Sequence, residues 1–192
     1  MELHKLGFKF YAQDAERIDL LKFIPVFHRW IQQSALSDLL IDVADYSHVP
    51  AGPGVLLVAH EGNYGFDETG NRRGVVYYSK HKLEGGLDQR LASVCRKTLQ
   101  AARLLAEDAE FKDELRIAGN ELQFFANDRL AAPNTDETYA SLEPALRALL
   151  DRLFAGAAYT LERETDPKER FSVTARAESG VELETLLSRL SA

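Results

Sequence analysis

The sequence predicts an α+β fold: two strand–helix–strand–strand modules with mainly antiparallel sheet, related by a pseudo-twofold axis and joined by a linking helix. Two observations lead there. Phe8-Lys9-Phe10-Tyr11-Ala12-Gln13-Asp14 recurs 114 positions later as Leu122-Gln123-Phe124-Phe125-Ala126-Asn127-Asp128. The helical pattern that follows is repeated too, Phe23–Ile31 reading like Leu142–Leu150 with prolines at the same place, Pro25 and Pro144. The modules fall at residues 1–107 and 108–192 and are expected to share one core as a single globular domain. Three strands under one helix bury only one sheet face and leave their edges bare, a problem that a second copy solves. Neither connection, near 81–87 or 107–115, is long or rich enough in Pro and Ser to separate independent domains.

The first module opens with a strand near residues 3–12. An amphipathic helix follows, with Leu20, Ile24, Phe27 and Ile31 at helical spacing and Phe23 and Trp30 widening the stripe. Asp19 is its candidate cap, and Pro25 implies either a kink or a start near Ile24. Leu39–Tyr46 and Val55–Glu61 read as strands around a loop at 48–54. Gly74–Lys80 is expected to pair with Val55–Glu61 as a hairpin, closed by the turn-rich stretch Gly62–Arg72. A helix runs from Leu87 to Glu107, apolar along Leu87, Leu91, Val94, Ala102 and Leu105.

The second module begins at Leu115–Ala126, read as two short strands or one strand bent at Gly119-Asn120. A helix from Asp136 to Phe154 is stopped by Gly156. Strands at Ala158–Glu164 and Arg170–Ala177 and a short helix at Val181–Leu190 complete it. Phe171, Val173, Ala175 and Ala177 alternate with Ser172, Thr174 and Arg176, as a sheet with one wet face should. Leu39-Leu40-Ile41 and Val55–Ala59 are apolar on both faces, so a cover is expected there, from the 87–107 helix or from a partner subunit. Asp14 and Asp128 close the two repeated strands and are expected to cap the turns that follow.

With 192 residues, 45% of them apolar and 28% charged, the chain suits one ordinary globular domain. A net charge of −7 speaks against a general nucleic-acid binder and against docking on anionic membranes. Cys95 is the sole cysteine, which rules out an internal disulfide and multi-thiolate zinc sites. No secretory signal pattern opens the chain, and no stretch approaches the ~18 apolar residues of a membrane span. A cytoplasmic location is expected.

Chemistry-bearing residues concentrate in the first module, where all five histidines lie before residue 82. Asp42 sits between Ile41 and Val43, an unusual place for a charge, and is a cross-strand candidate neighbour of His60. Together with Glu61 these resemble raw material for a metal site or an acid–base pair. No HxH, HExxH or other ligand spacing supports this, and an Asp at a strand end more often pairs or caps a turn. The stretch from His60 through Asp67 is the better candidate, with glycines that let backbone approach a ligand. Its ligand-binding set is His60, Glu61, Asn63, Tyr64, Asp67, Arg72, Tyr77 and Tyr78. No phosphate loop, nucleophile elbow or dinucleotide fingerprint occurs, and no cofactor is implied.

HKLGFKFY, FIPVFHRWIQ, LLIDVADYSHV, GPGVLLVAHEGNYGFDE, LAAPNT and YTLERETDPKERFSV together resemble an uncharacterised family of bacterial proteins of similar length. That resemblance implies a cytoplasmic globular protein and no activity. In element order alone, the duplicated unit is similar to the modules of gyrase-inhibitor-like and SOUL haem-binding proteins, which hold small ligands between modules. Fold likeness does not transmit function. The reading put first is a non-enzymatic protein that binds a small molecule or a protein partner in a cleft between the modules. The alternatives are a metal-assisted hydrolase using Asp42, His60 and Glu61, and a structural protein that homodimerises through its doubly apolar sheet.

Overall fold

Side-chain alternation decides which side of each strand meets the helices. The computed structural model describes residues 3–191. Its strands are β1 (Leu6–Gln13), β2 (Leu40–Tyr46), β3 (Gly54–Ala59), β4 (Gly62–Asp67), β5 (Gly74–Ser79), β6 (Arg116–Ala126), β7 (Tyr159–Arg163) and β8 (Ser172–Ala177). They form one eight-stranded sheet in the order β2-β3-β4-β5-β1-β6-β8-β7, antiparallel at every pairing. The helices are α1 (Phe23–Gln33), α2 (Leu87–Glu107), α3 (Asp136–Phe154) and α4 (Leu183–Ser191). The mixed α+β class is as expected.

Leu6, Phe8 and Phe10 of β1 point to the same side as Leu122 and Phe124 of β6, Val75 and Tyr77 of β5, and Tyr64 and Phe66 of β4. These residues join one buried cluster with Phe23 and Phe27 of α1, Leu91 and Val94 of α2, Leu146 and Leu150 of α3, and Leu186 of α4. All four helices therefore lie on one face of the sheet. Phe23 shows how the layers lock: its ring stacks between Phe66 at 4.3 Å and Phe111 at 4.2 Å. Each such aromatic pair adds about 0.5–1.5 kcal/mol beyond the area it buries.

Local signals place the helices where the sequence put them. The Asp19 carboxylate accepts from the Leu21 N–H in a short turn leading into α1, whose first turn holds Pro25. The Thr135 hydroxyl accepts from the Thr138 N–H to start α3, which ends on left-handed Ala155 and Gly156. β6 is one strand with a register shift opposite Phe10 and Ala12 rather than two strands. Asp128 caps its turn through the Ala131 N–H, but Asp14 takes the left-handed conformation with no cap hydrogen bond.

Two expectations are overturned. The hairpin of Val55–Glu61 with Gly74–Lys80 does not form, because Gly62–Asp67 is itself a strand between them: β3 pairs with β4, and β4 with β5. Burying Tyr64 and Phe66 on the helix side outweighs the weak strand preference of the intervening glycines. Gly65 is needed on the other side, since a Cβ there would lie 2.7 Å from Leu56 Cδ2. The second correction concerns the cover. The linking helix α2 packs over β1 and β5 on the helix side, so it does not cover the second face of β2 and β3. Leu56 shelters over Gly65 instead, while Leu39 and Ile41 stay exposed.

Candidate functional site

The sheet face opposite the helices, called the open face below, is polar at its centre and yet closely packed. Lys9, only 1% exposed, forms an ion pair with Asp67 and donates to the Thr69 carbonyl at 3.2 Å. Asp67 also accepts from the Thr69 N–H at 3.2 Å and hydroxyl at 2.6 Å. Burial pulls the Lys9 pKa below the usual lysine range against the opposing pull of Asp67. Pleating explains the arrangement: Lys9, Asp67 and Gln123 alternate with apolar neighbours that face the helices.

Two arginines lie flat on aromatic rings of this face. The Arg72 guanidinium is 3.6 Å from the centroid of Tyr11 and forks onto Glu121 at 2.9 and 2.8 Å. Arg176 reaches the same carboxylate at 2.7 Å. Burial alone would raise the Glu121 pKa, but the hydrogen bonds from Arg72 and Arg176 outweigh it and hold the carboxyl below its ordinary value. Arg170 lies 3.7 Å from the centroid of Phe125 and donates to the Asn127 side-chain oxygen at 3.1 Å. Phe125 in turn fills the space above Gly7, where a Cβ would lie 2.3 Å from its ring.

Between the segment at 69–72 and the β7–β8 hairpin the open face sinks into a groove of about 620 Å³. Tyr11, Gln123, Ser172 and Thr174 floor it, Arg72 and Arg170 flank it, and Glu162, Glu164 and Glu169 stand exposed on the hairpin side. Gln123 and Ser172 are joined by a 3.4 Å hydrogen bond from amide to hydroxyl. The wall facing the first half of the chain is thus the 162–170 hairpin.

Strand alternation scatters the residues proposed from sequence. Arg72 alone of the eight lines the groove. Asn63 and Tyr78 meet on the open face, amide to phenol at 2.8 Å, and Asp67 lies there beneath Lys9. His60 and Glu61 occupy the β3–β4 turn, with 3.8 Å between imidazole and carboxylate, and His60 is exposed. Tyr64 and Tyr77 point the other way, into the helix side. There the Tyr64 hydroxyl donates to Asp38 at 3.0 Å, and Lys97 of α2 pairs with the same carboxylate and donates to the Tyr77 oxygen at 3.4 Å. Burial, then the Asp38 charge, pushes both phenol pKa values above their ordinary range. This buried network ties α2 to the sheet and to the segment before β2.

Asp42 faces Val58 rather than His60, and its carboxylate accepts from the Val43 N–H at 2.8 Å. It is exposed, so no buried charge needs explaining. Among the described residues no group of three His, Cys, Asp or Glu side chains is arranged to hold a metal ion. Cys95 is fully buried, and burial raises its thiol pKa well above the ordinary value, which suppresses thiolate chemistry. No helix among the described residues is long and apolar enough to cross a membrane.

Sequence reasoning missed Arg170, Ser172 and Thr174 as groove residues. Their signal was present in the polar phase of β8, but the pairing of β8 with β6, and of β6 with β1, was needed to bring them to Tyr11. No protein-family model, no curated protein and no solved structure matches this chain.

Proposed function

We propose that this chain is a small-molecule-binding protein, built on a duplicated unit, whose ligand occupies the open-face groove between the two halves. The observation that carries the reading is the groove's floor. Tyr11 and Ser172 are buried groups with polar tips on a sheet face without helices, the first beneath the Arg72 guanidinium and the second hydrogen-bonded to Gln123. A concavity of this size falls within the usual dimensions of small-molecule sites. The duplication is supported by the β1–β6 register. Phe8 pairs with Phe124 and Phe10 with Leu122, and exchanging each residue for its counterpart 114 positions away reproduces the same pairs.

The test is a thermal-shift screen of the whole chain against a metabolite library, repeated on Thr174→Trp, which fills the groove. A ligand present at a hundred times its Kd stabilises the native state by about 2.7 kcal/mol. Compounds that raise the midpoint of the wild type and not of the variant support the reading. Hits that stabilise both equally, or the absence of any hit, refute it.

A second reading, self-association through β2, draws on the exposed Leu39, Ile41 and Tyr46 along that edge. Two β2 strands paired antiparallel about Val43 and Ala44 would set Asp42 against Asp45, a repulsive arrangement. Light scattering that shows a monomer at micromolar concentration removes this reading.

A further inference from the structure

The side chains of the groove floor narrow the chemistry of its occupant. We infer that the occupant presents an anionic group, a carboxylate or a phosphate, to the Arg170 guanidinium, which rests on the groove being a binding site. Most cations around the groove are already neutralised. Lys9 is paired with Asp67, Arg72 with Glu121, and Arg163 with Asp136. Arg170 is different. Its partners are the neutral Asn127 side chain and the Phe125 ring, and among the described residues no carboxylate lies within ion-pair distance of it.

A guanidinium offers five N–H donors in a planar fork, and here one of them meets a protein acceptor. Stacking on Phe125 removes water from one face and fixes the plane, so the remaining donors are oriented before any ligand arrives. A planar pair of oxygens, as in a carboxylate or phosphate, fits that fork. The Ser172 hydroxyl and the Gln123 amide lie on the same floor as further polar contacts.

The charges around the groove are separated in space and balance in number. Lys9, Arg72, Arg163, Arg170 and Arg176 face Asp67, Glu121, Glu162, Glu164 and Glu169, so Arg170 alone, and not a net positive field, favours an anion. Glu162, Glu164 and Glu169 stand exposed on the hairpin side, where they repel a long polyanion more than a small anion that reaches Arg170.

The test follows the backbone amides of Gln123, Ser172 and Thr174 by NMR in the full chain, titrated with inorganic phosphate or with malonate. Sodium chloride at matched ionic strength and neutral glycerol serve as controls. Phosphate or malonate should move these amides saturably, the two arms separating a phosphate site from a carboxylate site. Arg170→Gln should weaken that binding about tenfold or more, and Arg170→Lys, which keeps the charge but not the fork, by a smaller factor. Affinity unchanged in Arg170→Gln overturns the inference. If that variant does not fold, unchanged affinity in Arg170→Lys overturns it equally. Should both anions leave the amides unmoved while a neutral or cationic library hit moves them, the groove reading stands and the anion inference falls. If nothing moves them, both fall.

Discussion

Replacing Lys9 with Met would remove one charge from the centre of the open face while keeping the methylene stem. Asp67 would then be a carboxylate only 6% exposed, left with the Thr69 N–H and hydroxyl as donors. Breaking a buried pair in this way typically costs about 3–5 kcal/mol. A penalty of about 3–5 kcal/mol is therefore expected at pH 7. At roughly 2–4 °C per kcal/mol for a domain of this size, the thermal midpoint falls by about 6–20 °C. The double variant Lys9→Met/Asp67→Asn removes both charges, keeps an acceptor for Thr69, and should recover most of the loss. Urea unfolding of the wild type, both single variants and the double at pH 7 provides the assay. A Lys9→Met penalty under about 1 kcal/mol, or a double variant no more stable than Lys9→Met, refutes the reasoning.

Two further outcomes test the packing and the charges of the same face. Gly7→Ala places a methyl 2.3 Å from the Phe125 ring, which also carries the Arg170 guanidinium 3.7 Å from its centroid. A loss of about 1–3 kcal/mol in urea unfolding is expected, partly recovered by Phe125→Leu, and an Ala variant as stable as the wild type contradicts the stack. Glu121, with its carboxyl held below its ordinary value near 4.5, contributes stability that is present above that value and lost as pH falls through the lower folded one. The stability gap between wild type and Glu121→Gln should therefore close on acidification, and a gap constant with pH would disprove the pairing with Arg72 and Arg176.

How much of this was legible depended on whether the signal was local. α2 and α3 lie where the apolar spacing put them, because each carries its own stripe and its own end signals: Thr135 at the start of α3, and Ala155 with Gly156 at its end. The β4 segment reads as loop in the sequence because two glycines and an asparagine resemble turn chemistry. The alternation of Tyr64 and Phe66 was the competing signal, and it prevailed because both rings reach the core. The groove was illegible for another reason. Arg72 stands 49 residues from Glu121 and Lys9 58 from Asp67, so each pair exists only once the strand order and register are known. Proximity along the chain misled in the same way: His60 and Glu61 adjoin the strand that carries Tyr64, yet pleating sends that ring to the opposite face from Asn63.

The finished sheet has two lateral borders, and the longer one is guarded. β2 carries a register shift after Leu40, and Asp42 occupies the N–H of Val43 that would otherwise invite another strand. β1 carries no such protection, since Leu6, Phe8 and Phe10 alternate along it and its second neighbour, β6, begins only at Arg116. A ribosome must therefore deliver more than thirty residues after β5 before β1 is paired on both sides. Throughout that interval β1 is the open edge of the partial sheet, the kind of unpaired strand through which incomplete chains associate.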